Sequence, residues 1–181
     1  MPPRMLVDDR VVPPDAGSPG PLRGAKATTL EGGVRVPFLA RWPGQIPAGQ
    51  VRADLAAGMD LAVTLATLGG GAFPSDRTID GASLWPLLSG SGTFARDTFF
   101  YLNGKRLDGV RDPRWKLRVN ADGAAPRLEL YDLLSDPSER YDAAAAHPDV
   151  VKRLADRAVA FALETGATAS DLFDRARRDA R

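Results

Sequence analysis

The stretch Gly20-Pro-Leu-Arg-Gly-Ala-Lys-Ala-Thr-Thr-Leu-Glu-Gly-Gly-Val-Arg-Val-Pro37, continued by Ala40-Arg-Trp-Pro-Gly44, decides how this chain folds. Its first half alternates glycines and threonines with the charged residues Arg23, Lys26 and Glu31. Such a run makes a tightly wound loop, because glycine reaches backbone conformations barred to other residues. After Gly33 the pattern changes. Val34, Val36, Phe38 and Ala40 alternate with Arg35, Pro37, Leu39 and Arg41, which reads as a β-strand. Pro37 puts the middle of that strand at an edge or a bulge. Glu31-Gly-Gly33 could be an acid beside an anion-cradling turn. The better reading is structural: the glycines allow close backbone packing, and Arg23, Glu31 and Arg35 pair to hold the loop.

Upstream, residues 1–25 are rich in proline and glycine and read as loop. Downstream, Trp42 to Gly49 is turn-rich, and Asp60 is placed to cap a short helix with Leu61, Leu65 and Leu68 on one face. Leu84 to Leu88 reads as a further short apolar helix. Four strand-like runs follow, Thr98 to Leu102, Leu107 to Val110, Trp115 to Val119 and Leu128 to Leu133. In the third, Trp115, Leu117 and Val119 face one way while Lys116 and Arg118 face the other. Short loops at Asn103-Gly104 and Asp112-Pro113 predict antiparallel hairpins. Pro148 starts a last helix with Val150, Val151, Leu154, Ala158 and Phe161 as its apolar stripe, and Gly166 stops it. The charged tail from Ser170 to Arg181 is expected to fray.

The chain has 181 residues, 44% of them hydrophobic, enough for a core that removes ~70% of the unfolded surface from water. Lys and Arg number 24 against 23 acids, a net charge of +1 that gives no reason to expect nucleic acid or an anionic membrane. No apolar run reaches membrane-spanning length. There is no cysteine, which excludes disulfides, thiolate metal sites and thiol nucleophiles. His147 is the sole histidine, and one imidazole cannot build a His-rich metal site.

The opening stretch resembles the second sulfatase signature, in which Pro-Leu-Arg-Gly-x-Lys leads into Glu-Gly-Gly-x-Arg-Val-Pro. Three further pieces agree in order. Asp60 to Leu65 is similar to the family's next helix, and Ile79 to Leu88 is similar to its Asp-Gly-x-Ser-Leu-x-Pro-Leu-Leu segment. Arg111 to Leu117, Leu130 to Leu133 and Asp136-Pro-Ser-Glu139 resemble its carboxy-terminal subdomain. The resemblance spans roughly residues 15 to 155 and implies an α/β chain. Residues 1–90 would end the catalytic domain of an alkaline-phosphatase-like sulfatase fold. Residues 91–181 would form a small antiparallel-sheet subdomain with a terminal helix, the boundary lying near Gly90-Ser-Gly92.

The family hydrolyses sulfuric esters with a formylglycine made in a Cys/Ser-x-Pro-x-Arg motif, aided by calcium and by Lys and His side chains. By that resemblance Lys26 is the sulfate-contacting lysine, and Arg23, Glu31 and Arg35 support its loop. The other parts are not found. No Asp-Asn-Gly metal triplet occurs, and Asp8, Asp9 and Asp15 are better read as solvated acids than as calcium ligands. Asp15 and Ala16 stand where the family tends to carry a histidine. Ser135-Asp-Pro-Ser-Glu-Arg140 mimics a serine-type nucleophile motif, but its arginine lies one residue too far along. Trp115, Tyr131 and Phe99 to Tyr101 read as core rather than as a sugar-stacking surface.

The expectation is thus a truncated sulfatase chain, inactive alone, with no metal or cofactor of its own and calcium belonging to the complete family. A sulfate ester would be its substrate only within a complete fold. The alternative is a non-catalytic module that docks on a partner chain, with Val34 to Ala40 as the exposed edge. A phosphate- or phosphonate-ester hydrolase of the same superfamily ranks last, since two metals need clusters of histidine and aspartate that one histidine cannot supply.

Overall fold

A computed structural model describes residues 5–7, 10–12, 17–94, 96–121 and 125–179, with side chains for 17–94, 96–121 and 125–178. The chain packs as two compact units. One joins the residues up to Val36 with those from Thr98 onward, and the other is Pro37–Asp97.

Where the sequence suggests only loop, two short strands pair antiparallel, β1 (Met5–Val7) and β2 (Arg10–Val12), with Met5 opposite Val12. A single helical turn, α1 (Glu31–Val34), begins at the Glu31-Gly-Gly33 triplet. The strand expected from Val34 to Ala40 does not form. The backbone beyond α1 is extended at Arg35, whose N–H closes the helical turn on Glu31 O, but among the described residues it joins no strand, and Val36, Phe38 and Leu39 stand exposed, Leu39 at 95%. Alternation specifies a strand's faces, whereas the ladder needs a neighbouring strand to satisfy its backbone groups.

The second unit contains α2 (Gly58–Leu68) and α3 (Trp85–Ser89). Asp60 is not the cap residue; it lies in the first turn of α2 and reaches back to accept the Ala57 N–H at 2.7 Å. Its other oxygen accepts the Ala82 N–H at 2.9 Å and pairs with Arg96. Thr64 Oγ accepts the Leu84 N–H at 2.8 Å. Asp60 and Thr64 are therefore the buried residues of α2, while Leu65, expected in an apolar interface, is 68% exposed.

The first unit is built on an antiparallel sheet of β3 (Phe99–Asn103), β4 (Arg106–Arg111), β5 (Trp115–Asn120) and β6 (Arg127–Asp132), in sequence order. Neighbouring strands join through hairpins, as expected from the sequence. Gly104, with φ of 60°, turns the first, and Asp112 Oδ1 fixes the second by accepting the N–H groups of Arg114 and Trp115. Val110, Leu117 and Leu130 lie side by side across three strands on one face. Against that face packs α4 (Pro148–Thr165), which buries Val150, Leu154, Ala155, Ala158, Val159 and Ala162, a helical-period stripe ended by left-handed Gly166.

The tail does not fray. After Gly166, β7 (Thr168–Ala169) pairs parallel with the start of β4, and α5 (Asp171–Asp179) follows. Phe173 is completely buried in the main core, and Arg177 lies 3.3 Å from Asp156 of α4. One aromatic anchor supplies what a charge-dominated pattern conceals. Phe173→Ala is expected to cost about 3–5 kcal/mol, whereas Leu65→Ser on the exposed face of α2 stays within about 0.5 kcal/mol. Denaturant unfolding followed by near-ultraviolet circular dichroism checks both.

Candidate functional site

Alternation along β5 sends Trp115, Leu117 and Val119 into the core and Lys116 and Arg118 to the opposite face. That second face is no more open to water than the first. Lys116 is completely buried, and its ammonium donates to Thr29 O at 2.7 Å and to Glu31 Oε1 at 3.0 Å. Glu139 Oε1 lies 2.9 Å away as an ion-pair partner, without a hydrogen bond of its own. Glu31 is 1% exposed and also receives Arg111 at 3.3 Å and the Tyr101 hydroxyl at 3.2 Å. Two cations thus face two carboxylates away from water, an arrangement that recovers its desolvation cost only when every polar atom is matched.

This network holds the glycine-rich loop. The Glu31 N–H donates to Glu139 Oε2 at 2.6 Å, and the Gly32 N–H donates to Arg23 O at 2.7 Å. A Cβ on Gly32 would fall 2.5 Å from Arg23 O, and one on Gly33 would fall 2.4 Å from Thr28 O, so both positions require glycine. The other end of the loop is tied as well. Arg23 donates to the Tyr131 hydroxyl at 3.1 Å and to Glu139 O at 3.0 Å, and Ser138 Oγ donates to Pro21 O at 2.8 Å.

Between the two ties, Ala25 to Thr28 close a turn through Thr28 N–H to Ala25 O at 3.0 Å. Lys26 and Ala27 form its exposed tip, with Ala27 at φ of 75°, the sign that a type II turn demands at its third position. The structure therefore joins Arg23 and Glu31 in one network. Arg35 joins it loosely, half exposed with Nε 3.9 Å from Glu31. Lys26 stands apart at the tip.

Burial alone would raise the Glu31 pKa, but Lys116 and Arg111 beside it hold the carboxyl below its ordinary range. Glu129 behaves alike: burial opposes ionisation, yet bonds from Asn120 and Tyr131 and the charges of Arg118 and Arg127 keep its pKa lowered. Burial pushes the Tyr101 and Tyr131 hydroxyls up, and the neighbouring carboxylates add to this. Both hydroxyls therefore keep their protons and use them in hydrogen bonds, Tyr101 to Glu31 and Tyr131 to Glu129.

Among the described residues no three acidic or histidine side chains group to hold a metal. Asp8, Asp9, Asp15 and Ala16 lie outside the described residues. The segment Ser135 to Arg140 is a turn in which Asp136 Oδ2 accepts the N–H groups of Arg140 and Tyr141. Sequence reading saw that turn without seeing that Glu139 within it, at φ of 53°, points into the network. Lys116 was equally unmarked, though its place opposite the apolar face of β5 was the available signal.

The family model for the carboxy-terminal domain of N-sulphoglucosamine sulphohydrolase matches residues 25–162. Arylsulfatase A of Homo sapiens is 37% identical over 167 residues, covering 76% of this chain and 32% of that protein. N-acetylgalactosamine-6-sulfatase of Canis lupus familiaris is 48% identical over 89 residues, covering 49% of this chain and 17% of that protein. The crystal structure of PsFucS1 sulfatase from Pseudoalteromonas sp. superposes with a TM-score of 0.59 at 30% identity, over 67% of this chain and 28% of that one. The chain thus spans about a third or less of these relatives.

Removing Lys116 strands two buried carboxylates, so Lys116→Met is expected to cost about 3–5 kcal/mol. Lys26→Ala, at an exposed tip, should stay within about 0.5 kcal/mol. Acid acts in a defined direction. Because the folded-state pKa of Glu31 is depressed, its contribution is present above 4.5 and is lost as pH falls through the folded value. Urea titrations at stepped pH should show stability declining below that point, with a shallower decline in Glu31→Gln.

Proposed function

The chain belongs to the sulfatase family, matching its carboxy-terminal domain and sharing its alkaline-phosphatase-like α/β fold, and we propose that it serves sulfate ester hydrolysis through the ammonium of Lys26. The observation that carries this reading is the position of Lys26: an exposed cation on the tip of a turn whose two flanks are tied to a buried network. A cation presented on a tied turn suits an anion whose charge grows in the transition state, because a backbone already in place leaves only the side chain to reorganise. In this reading residues 1–90 complete the catalytic domain and residues 91–181 are the subdomain behind it. Glu31 links the two, which is why the packing units divide elsewhere.

By itself the chain is inactive. A charge-assisted hydrogen bond contributes about 1.5–3 kcal/mol, against the ~8–23 kcal/mol by which enzymes lower barriers. The sequence holds neither a cysteine nor a Ser-x-Pro-x-Arg segment to become the nucleophile. The partner reading rests on a different observation: within the second unit Leu39, Val51 and Leu65 are all largely exposed. An apolar surface of this kind fits docking on the nucleophile-bearing part of a sulfatase fold.

Both readings are tested by mixing the chain with the upstream part of a sulfatase carrying formylglycine and calcium. Hydrolysis of an aryl sulfate is expected only in the mixture, and Lys26→Ala should lower its kcat by about 10²–10³, the effect of removing one anion-stabilising donor. Sulfate release by the 181 residues alone would overturn the assignment of inactivity. A mixture that neither co-elutes on size exclusion nor gains activity would reject docking.

A further inference from the structure

We propose that Lys116 and Glu139 are positioning residues for the Lys26 turn, so that the carboxy-terminal sheet sets where the anion-contacting ammonium stands. This rests on the sulfate-contacting reading of Lys26, to which it adds a mechanism of placement. The turn has two flanks, and both end on Glu139, the downstream one on Lys116 as well. On the downstream flank, Lys116 grips Thr29 O and the Glu31 carboxylate, and Glu139 Oε2 takes the Glu31 N–H. On the upstream flank, Arg23 donates to the backbone carbonyl of Glu139 and to Tyr131 of the neighbouring strand. The Gly32 N–H to Arg23 O bond then closes one flank on the other.

Position follows from which atoms are rigid. Lys116 sits inside the β5 ladder between β4 and β6, opposite Arg111 and Tyr131, and cannot shift without breaking strand pairing. Glu139 is fully buried in a turn clamped by Asp136. The turn itself has no such ladder. Its internal bonds are Thr28 N–H to Ala25 O and the reciprocal pair between Ala25 and the Thr28 hydroxyl. Its shape is therefore local, whereas its location is borrowed from the sheet. A residue that does not touch the anion acts on the reaction by fixing a donor's coordinates.

Native-state hydrogen exchange on the full chain separates placement from general stability. Glu139→Gln keeps the size of the side chain and removes its charge. Tyr131→Phe removes one tie of Arg23 and leaves Glu129 its bonds from Arg118, Arg127 and Asn120. Each variant is expected to speed exchange at the amides of Thr28, Glu31 and Gly32 by about tenfold or more, while the ladder amides of Leu117, facing β4, and Arg118, facing β6, keep their rates, since local opening is independent of global unfolding. Equal acceleration at all these sites, or none in the loop, would overturn the proposal. Should Glu139→Gln not fold, the Tyr131→Phe result decides alone. Titration of the wild-type chain with inorganic sulfate, followed at the Lys26 amide and ammonium by NMR, tests the underlying reading separately. A loop that loosens in the variants, in a chain whose Lys26 ignores sulfate, would retain the placement and discard the anion.

Discussion

The first unit depends on one buried ammonium. Lys116 lies between Glu31, which arrives from the glycine-rich loop, and Glu139, which arrives from the turn after β6, and its ammonium touches both carboxylates and the Thr29 carbonyl together. With Arg111 balancing the second acid, the cluster is formally neutral and out of reach of solvent ions. Such a core is a costly way to hold two segments together if stability were the only aim, because apolar packing of the same volume serves as well. Directional bonds fix orientation in a way that apolar packing does not, and orientation is what a loop presenting a charged tip needs.

The apolar side of the fold was legible because it obeys simple periods. The alternation of Trp115, Leu117 and Val119, the turn chemistry at Gly104 and Asp112, and the stripe on α4 led directly to the hairpins and to the helix they pack against. The glycine-rich loop was legible as a motif, and its pairing charges as a group. Its partners were not. Lys116 and Glu139 lie 85 and 108 residues from Glu31, and no local pattern distinguishes a lysine that meets a carboxylate across that distance from one that meets water. The tail failed for a related reason: a single Phe173 among charges decides between fraying and packing, and periodicity weighs it as one residue in nine.

The stretch from Val34 to Ala40 shows the opposite failure. Its alternation is as regular as that of β5, yet it forms no ladder. Periodicity describes what a segment is suited for, whereas pairing requires a partner with free backbone groups. The same holds for α2, whose Leu65 and Leu68 lie exposed while Asp60 and Thr64 tie its inner side to Ala82 and Leu84. In both places the residues are those of an interior and the surroundings are those of a surface.

The 108-residue separation between Glu31 and Glu139 also orders events on the ribosome. Elongation at ~5–20 residues per second leaves the glycine-rich loop waiting roughly 5–20 s before its anchoring glutamate has even been polymerised. Throughout that interval the Glu31 carboxylate must stay hydrated, and docking can begin only once β5, β6 and the turn after them have left the exit tunnel. The tip that carries Lys26 is thus made well before the residues that give it a fixed place.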